Sequence, residues 1–172
     1  MTVRKPSPGE LNSYYQTYLK YVEEDDLLDA LIIQKETTQK FLASISEIKA
    51  SSTYAEGKWL LKEVVGHLCD TERILSYRAL RISRSDKTPL PGFDENEYTP
   101  NANYNTRTLE NIADEFKSIR ESSVTLFKNM SEEMYDRRGI SNNTEVGVRD
   151  ILFFIIAHER HHLHVIQERY LS

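Results

Sequence analysis

The chain has 172 residues, enough for one domain with a real hydrophobic core. It is 39% apolar and 28% charged with a net charge of −5, and its basic residues form neither an excess nor a block, so no nucleic-acid partner is expected. The longest strongly apolar run, ILFFIIA (151–157), is far short of the roughly 20 residues that cross a bilayer, which argues against a membrane role.

The opening MTVRKPSPGELNSYY lacks the apolar core of a secretory signal, and the single cysteine, Cys69, suits a reducing compartment. A cytoplasmic location is therefore expected. Cys69 reads as buried packing, with a nucleophilic role as the alternative. After Pro8-Gly9, Glu10–Val22 is expected to form a tyrosine-rich lead-in helix. The acids of EEDD (23–26) then cap a first long helix from about Leu27 to Ile48, with a mainly apolar stripe that includes Leu27, Leu31, Leu42 and Ile45.

A second long helix is expected from about Leu60 to Ser83 and a third from about Leu109 to Met130, with Gly66 tolerated inside the former. MSEEMYDRRGI reads as a helical turn and a loop, and a fourth long helix begins near Thr144 or Glu145 and runs to about Tyr170. No stretch alternates well enough to predict a strand. The expected fold is all-α: one domain over residues 1–172, an antiparallel four-helix bundle. The connection Arg84–Thr108, with Pro89, Pro91, Phe93 and Tyr98, is expected to be an ordered loop packed over one end, and loops of that length are commonly functional.

Four of the five histidines lie in AHERHHLHVIQ (157–167); the fifth is His67. On a helical wheel with His158 at zero, His162 lies at about 40° and Ile151 at about 20°, so both histidines share the apolar stripe. His161 falls on its shoulder and His164 further out; both read as partly exposed, favoured near a helix C-terminus by the dipole. His67 faces inward with Val64, Thr71 and Leu75. Three inward imidazoles on two helices are costly unless their nitrogens are satisfied, and a divalent metal does this, with an i, i+4 pair meeting a third ligand from a facing helix. The alternative is three core histidines hydrogen-bonded to neighbours. Nitrogen ligands suit zinc, nickel and iron alike, and the sequence does not choose among them; the expectation is zinc or nickel first, then iron or manganese.

HERHH (158–162) also satisfies H-E-x-x-H. The extended protease motif would need glycine and histidine where Val165 and Glu168 stand, so the match reads as fortuitous. A di-iron carboxylate site needs two Glu-x-x-His pairs, and only Glu159–His162 fits.

GKWLLKEVVGHLCDTERILSYRALRISRSDKTPLPGFDENEY (57–98), VRDILFFIIAHERHHLHVIQERYL (148–171) and the opening PSPGELNSYYQTYLKYV together closely resemble the DinB-like, YfiT-related superfamily. The resemblance implies a four-helix bundle, often dimeric, with one metal held by a His of the second helix and an H-x-x-x-H pair of the last. Those positions here are His67, His158 and His162. It also implies either hydrolysis or transfer of a low-molecular-weight thiol to a small-molecule electrophile. The competing expectation is a non-catalytic, stress-related bundle whose metal is structural, with Asp70 or His161 as a fourth ligand closing the site. Asp70 is otherwise expected to support an imidazole N–H, or to pair with Arg73 or Arg78. Arg78, on the face of His67, would hold an anionic substrate or a buried acid. Glu159 is a candidate base, the alternative being a solvent-side glutamate. Trp59 and PLPGF are expected to wall the pocket mouth, or simply to pack.

Overall fold

The computed structural model describes residues 2–172. Four long helices make the bundle: α1 (Leu27–Ala43), α2 (Leu61–Ser83), α3 (Leu109–Lys128) and α4 (Val148–Val165). Asp26 caps α1 by accepting hydrogen bonds from the amides of Leu28 and Asp29, and Thr108 caps α3 through the amide of Asn111. The first helix ends at Ala43 rather than Ile48, because Ser46 starts a separate turn, Glu47–Ala50. The lead-in segment is likewise broken, into short turns at Pro8–Glu10, Ser13–Gln16 and Leu19–Tyr21. It is held by packing: Tyr15 stacks on Phe154 with ring centroids 4.2 Å apart.

Cross-bundle contacts fix the helix directions. Glu72 and Ser76 of α2 meet Arg120 and Ser123 of α3 in ascending order, so α2 and α3 run parallel. Gln39 and Lys35 of α1 meet Ala113 and Glu121 of α3 in opposite order, and that pair is antiparallel. Around the bundle the order is α1, α3, α2, α4, so successive helices in the first and last connections are diagonal rather than adjacent. The parallel α2–α3 pair explains the long connection. A 23-residue helix is about 35 Å long, and the chain must climb back that distance before α3 can start.

That connection therefore runs along the bundle instead of sitting over one end. At its start Leu90 bridges to the hairpin described below, with Leu90 N–H donating to the Ile140 carbonyl at 2.9 Å and Asn142 N–H to the Leu90 carbonyl at 2.9 Å. It then forms a short helix, Glu95–Asn101, and a turn, Tyr104–Thr106. Tyr104 closes it onto α2: its hydroxyl donates to Asp70 at 2.9 Å, and its ring covers Gly66 so closely that a Cβ would come within 2.3 Å of ring atoms. Gly66 is there for that approach.

Two strands, β1 (Arg138–Ser141) and β2 (Thr144–Gly147), contradict the expectation that the chain has none. They pair antiparallel about Asn142-Asn143, both in the left-handed region at φ 49° and 59°, the conformation of a tight primed turn. Four residues per strand are too few for alternation to be legible; the Asn-Asn pair was the available signal. The hairpin also takes Thr144 and Glu145 out of the last helix, which begins at Val148 after Gly147. At its far end α4 widens into a π-turn, Ile166–Tyr170.

The apolar core is in two parts. One gathers the lead-in segment, the start of α1, the ends of α2 and α3 and the first half of α4; the other gathers the opposite ends of the same helices. A polar belt crosses the bundle between them, containing Gln34, Thr38, Thr71, Glu72, Arg120, His158 and Glu159, all buried. No described helix is long and apolar enough to cross a membrane.

Candidate metal centre

The belt contains three converging imidazoles. His67 projects from the second turn of α2, and His158 and His162 from successive turns of α4, which runs antiparallel to α2. His158 Nε2 lies 3.3 Å from His67 Nε2 and 3.1 Å from His162 Nε2. One donor atom from each residue falls within 4.8 Å of the others, and among the described residues this is the group arranged to hold an ion. Bonds of about 2.0–2.1 Å to a tetrahedral ion put ligand nitrogens about 3.3–3.4 Å apart. The two separations about His158 match that spacing, and the third imidazole nitrogen stands within 4.8 Å, so the donor set suits a divalent ion.

Burial sets the charge state of the cluster. Loss of water pushes His67 down to about 4 and, with the neighbouring His67 charge, His162 to about 3; His158 falls well below its ordinary value for the same reason, next to His162. Neutral imidazole is the form that binds a metal, so the site stays competent in mild acid. The unfolded chain takes up these protons near 6.5, whereas the folded chain refuses them until about 4 or below. This contribution to stability is therefore complete above the unfolded value and lost as pH falls through the window down to the folded values. The unfolding midpoint of metal-free protein should decline steadily from about pH 7 to pH 4; a midpoint that is flat across this window would count against a neutral buried cluster.

The neighbouring histidines have other partners. His161 Nδ1 is 2.9 Å from the Tyr21 hydroxyl, and His164 pairs with Glu168 at 3.2 Å on the surface. Asp70 accepts from Tyr104, not from an imidazole, and neither suggested arginine pairs with it: Arg73 binds Glu115 and Arg78 binds the Pro91 carbonyl. The polar group beside His67, apart from the other imidazoles, is the Thr71 hydroxyl, 3.4 Å from Nδ1. Trp59 does wall the site, its ring 5.3 Å from that of His67, and the Tyr170 hydroxyl holds it by donating to the Trp59 carbonyl at 2.8 Å.

Glu159 departs most from expectation. It is neither on the solvent side nor in the cavity, but 2% exposed within the belt. Its carboxylate accepts from Arg120 Nη2 and Gln34 Nε2, each at 2.5 Å, and from the Thr38 hydroxyl. Arg120 also grips Glu72, with Nε and Nη2 at 2.8 and 2.7 Å. The sequence carried a signal for this triad: Glu72, Arg120 and Glu159 all stand on apolar stripes, where a charge is costly unless paired. A cavity of about 10 Å³, close to the size of one water, lies between the triad and His158, with Thr71, Glu72 and Glu159 on its polar side and Leu68, Leu75, Phe116 and Ile155 on its apolar side. Cys69 is buried in the other half of the core, where burial pushes its thiol up and away from reactivity.

On its open side the histidine cluster meets a cavity of about 440 Å³. Tyr14, Tyr15 and Tyr18 form one wall, the connection contributes Phe93 and Glu95, and the hairpin contributes Ser141, Asn142 and Thr144. Three protein nitrogens facing such a space leave room at an ion for an exchangeable ligand, the arrangement of an open rather than a structural site.

The fold closely follows that of YfiT from Bacillus subtilis, described as a metal-dependent hydrolase candidate with an unusual four-helix bundle topology. The TM-score is 0.75 at 17% identity, covering 95% of this chain and 91% of that one. A mycothiol-dependent maleylpyruvate isomerase superposes with TM-score 0.65 at 13% identity, over 80% of this chain and 58% of the isomerase, so the likeness leaves out much of that protein. In sequence the chain is 28% identical over 124 residues to a candidate metal-dependent hydrolase of Oceanobacillus iheyensis, covering 70% of this chain and 69% of the relative. Residues 30–166 match the DinB superfamily, and over that span, most of its length, the chain is a member of this family.

Proposed function

We propose that the protein is a metal-dependent enzyme in which His67, His158 and His162 hold one divalent ion, zinc or nickel before iron or manganese, and that it acts on a small molecule by hydrolysis. The observation that carries this reading is the open side of the cluster: three nitrogens converge at the floor of a cavity of about 440 Å³, the size range of small-molecule sites. When bound, such an ion lowers the pKa of water or a thiol and polarises a substrate oxygen. The protein's own part is positional. Burial keeps the imidazoles neutral, the α2–α4 packing holds their nitrogens together, and Trp59 shields His67. Glu159, committed to Arg120, supports α4 rather than serving as the base.

A second reading, transfer of a low-molecular-weight thiol, is favoured by the likeness to the mycothiol-dependent isomerase. A purely structural metal is disfavoured because Asp70 and His161, the candidate fourth ligands, are held by Tyr104 and Tyr21. Elemental mass spectrometry of the purified protein should find about one ion per chain, and far less in His67→Ala and His158→Ala. Absence of an ion after zinc and nickel reconstitution would overturn the proposal. In cobalt-loaded protein, a visible band that shifts with added thiol selects the second reading; a band indifferent to thiol, with ester cleavage, selects the first.

A further inference from the structure

Arg78 is the residue of the cavity that the metal does not explain. It is 8% exposed, yet no acidic side chain among the described residues pairs with it. Its one hydrogen bond runs from Nη2 to the Pro91 carbonyl at 2.7 Å, and its guanidinium stands 5.9 Å from the Phe93 ring centroid. The triad of the belt shows how this chain treats a buried arginine whose role is purely structural, since Arg120 is neutralised by two carboxylates. Arg78 has five N–H donors and gives up one, so a two-donor edge remains available, in a wall of the cavity. Burial lowers its pKa, as expected for a cation whose charge lacks an anion. Glu95 is the acid facing the same cavity, and its charge is felt at His67 rather than at Arg78.

From this geometry we infer that Arg78 seats the carboxylate of the substrate, and that the protein acts on small carboxylic acids with an apolar or aromatic body. A planar carboxylate matches the open guanidinium edge in shape and in charge, and restores the missing counter-ion. The tyrosine wall and Phe93 take the body of the molecule. Arg78 follows His67 by eleven positions on α2, about three turns, so both project on one face with Cα atoms about 16 Å apart along the axis. Side chains lean toward the helix N-terminus, and the reach of the arginine brings its head to within on the order of 10 Å of the imidazoles. The reacting group therefore lies at the opposite end of the molecule from the carboxylate. This inference deepens the proposed function by naming the substrate class, but the seat itself does not require the ion.

Calorimetric titration with 4-phenylbutyrate and its neutral analogue 4-phenylbutyramide tests it. Wild-type protein should bind the acid roughly ten- to a hundredfold more tightly than the amide, as a charged hydrogen-bonded pair implies. The preference should vanish in Arg78→Met, fall to an intermediate value in Arg78→Lys, which keeps the charge but loses the two-donor edge, and persist in His67→Ala stripped of metal. Equal binding of acid and amide by the wild type, or an acid preference intact in Arg78→Met, would overturn the assignment. A preference lost from wild-type protein on metal removal would overturn it too, while supporting the ion; a preference retained in metal-free His67→Ala upholds the seat even if the metal proposal fails. Should Arg78→Met not fold, the Arg78 Nε–H resonance of wild-type protein decides: it should move on titration with the acid and stay in place with the amide.

Discussion

Arg120→Met should lower stability by roughly 3–5 kcal/mol, the cost of leaving buried carboxylates without their partner. Glu72 and Glu159 are 4% and 2% exposed, and both depend on this guanidinium, which is itself fully buried. For a domain of 172 residues this corresponds to a fall in unfolding midpoint of roughly 6–20 °C. The loss comes from the uncompensated charges rather than from the strength of the pair, so replacing all three residues with apolar ones of similar volume should recover most of it. A midpoint in Arg120→Met within about 2 °C of wild type would show that the belt is not held by this arginine.

Removal of the ion is the second large effect. A ligand that binds only the folded state at a thousand times its dissociation constant stabilises by about 4.1 kcal/mol, so chelation should lower the midpoint by roughly 8–16 °C. His158→Ala should behave as the chelated protein does, because His158 is the imidazole within 3.3 Å of both others. Added zinc should restore the midpoint of chelated wild type and leave His158→Ala unchanged. Equal midpoints with and without chelator, in protein shown to contain the ion, would mean that the ion is not tied to the folded state.

The two effects are linked through the belt. His158 and Glu159 are consecutive on α4, one turned to the cavity and the other to the triad. The ion pair therefore fixes the rotation of the helix that carries two of the three imidazoles. Removing Arg120 should loosen metal affinity as well as stability, by the 10- to 100-fold typical of groups that support metal ligands.

Much of this was legible in the chain, because it depends on local periodicity. The 3.6-residue repeat places His158 and His162 together on the apolar stripe, and His67 inward on its own helix; in the folded chain the three converge. The ends of α2 and α3 follow from the same pattern within a residue or two. The long connection announced itself by its length, but not its path.

What the tertiary structure alone decided are relations between helices, which no repeat within one helix encodes. The parallel course of α2 and α3 sends the connection up the bundle, where Phe93 and Glu95 reach the cavity. A charge on an apolar stripe says that a partner must exist, not which segment supplies it; thus Glu159 found Arg120, while Asp70 found Tyr104 of the connection instead of an imidazole. The hairpin was hidden because four-residue strands are stabilised by their pairing and by Leu90, not by their own pattern. Sequence by itself determined the helices, their buried faces and the three histidines that meet; only packing determined the open cavity before them, the carboxylate partners behind them and the arginine left without one, because each of these is a contact between distant segments that forms once the chain has folded.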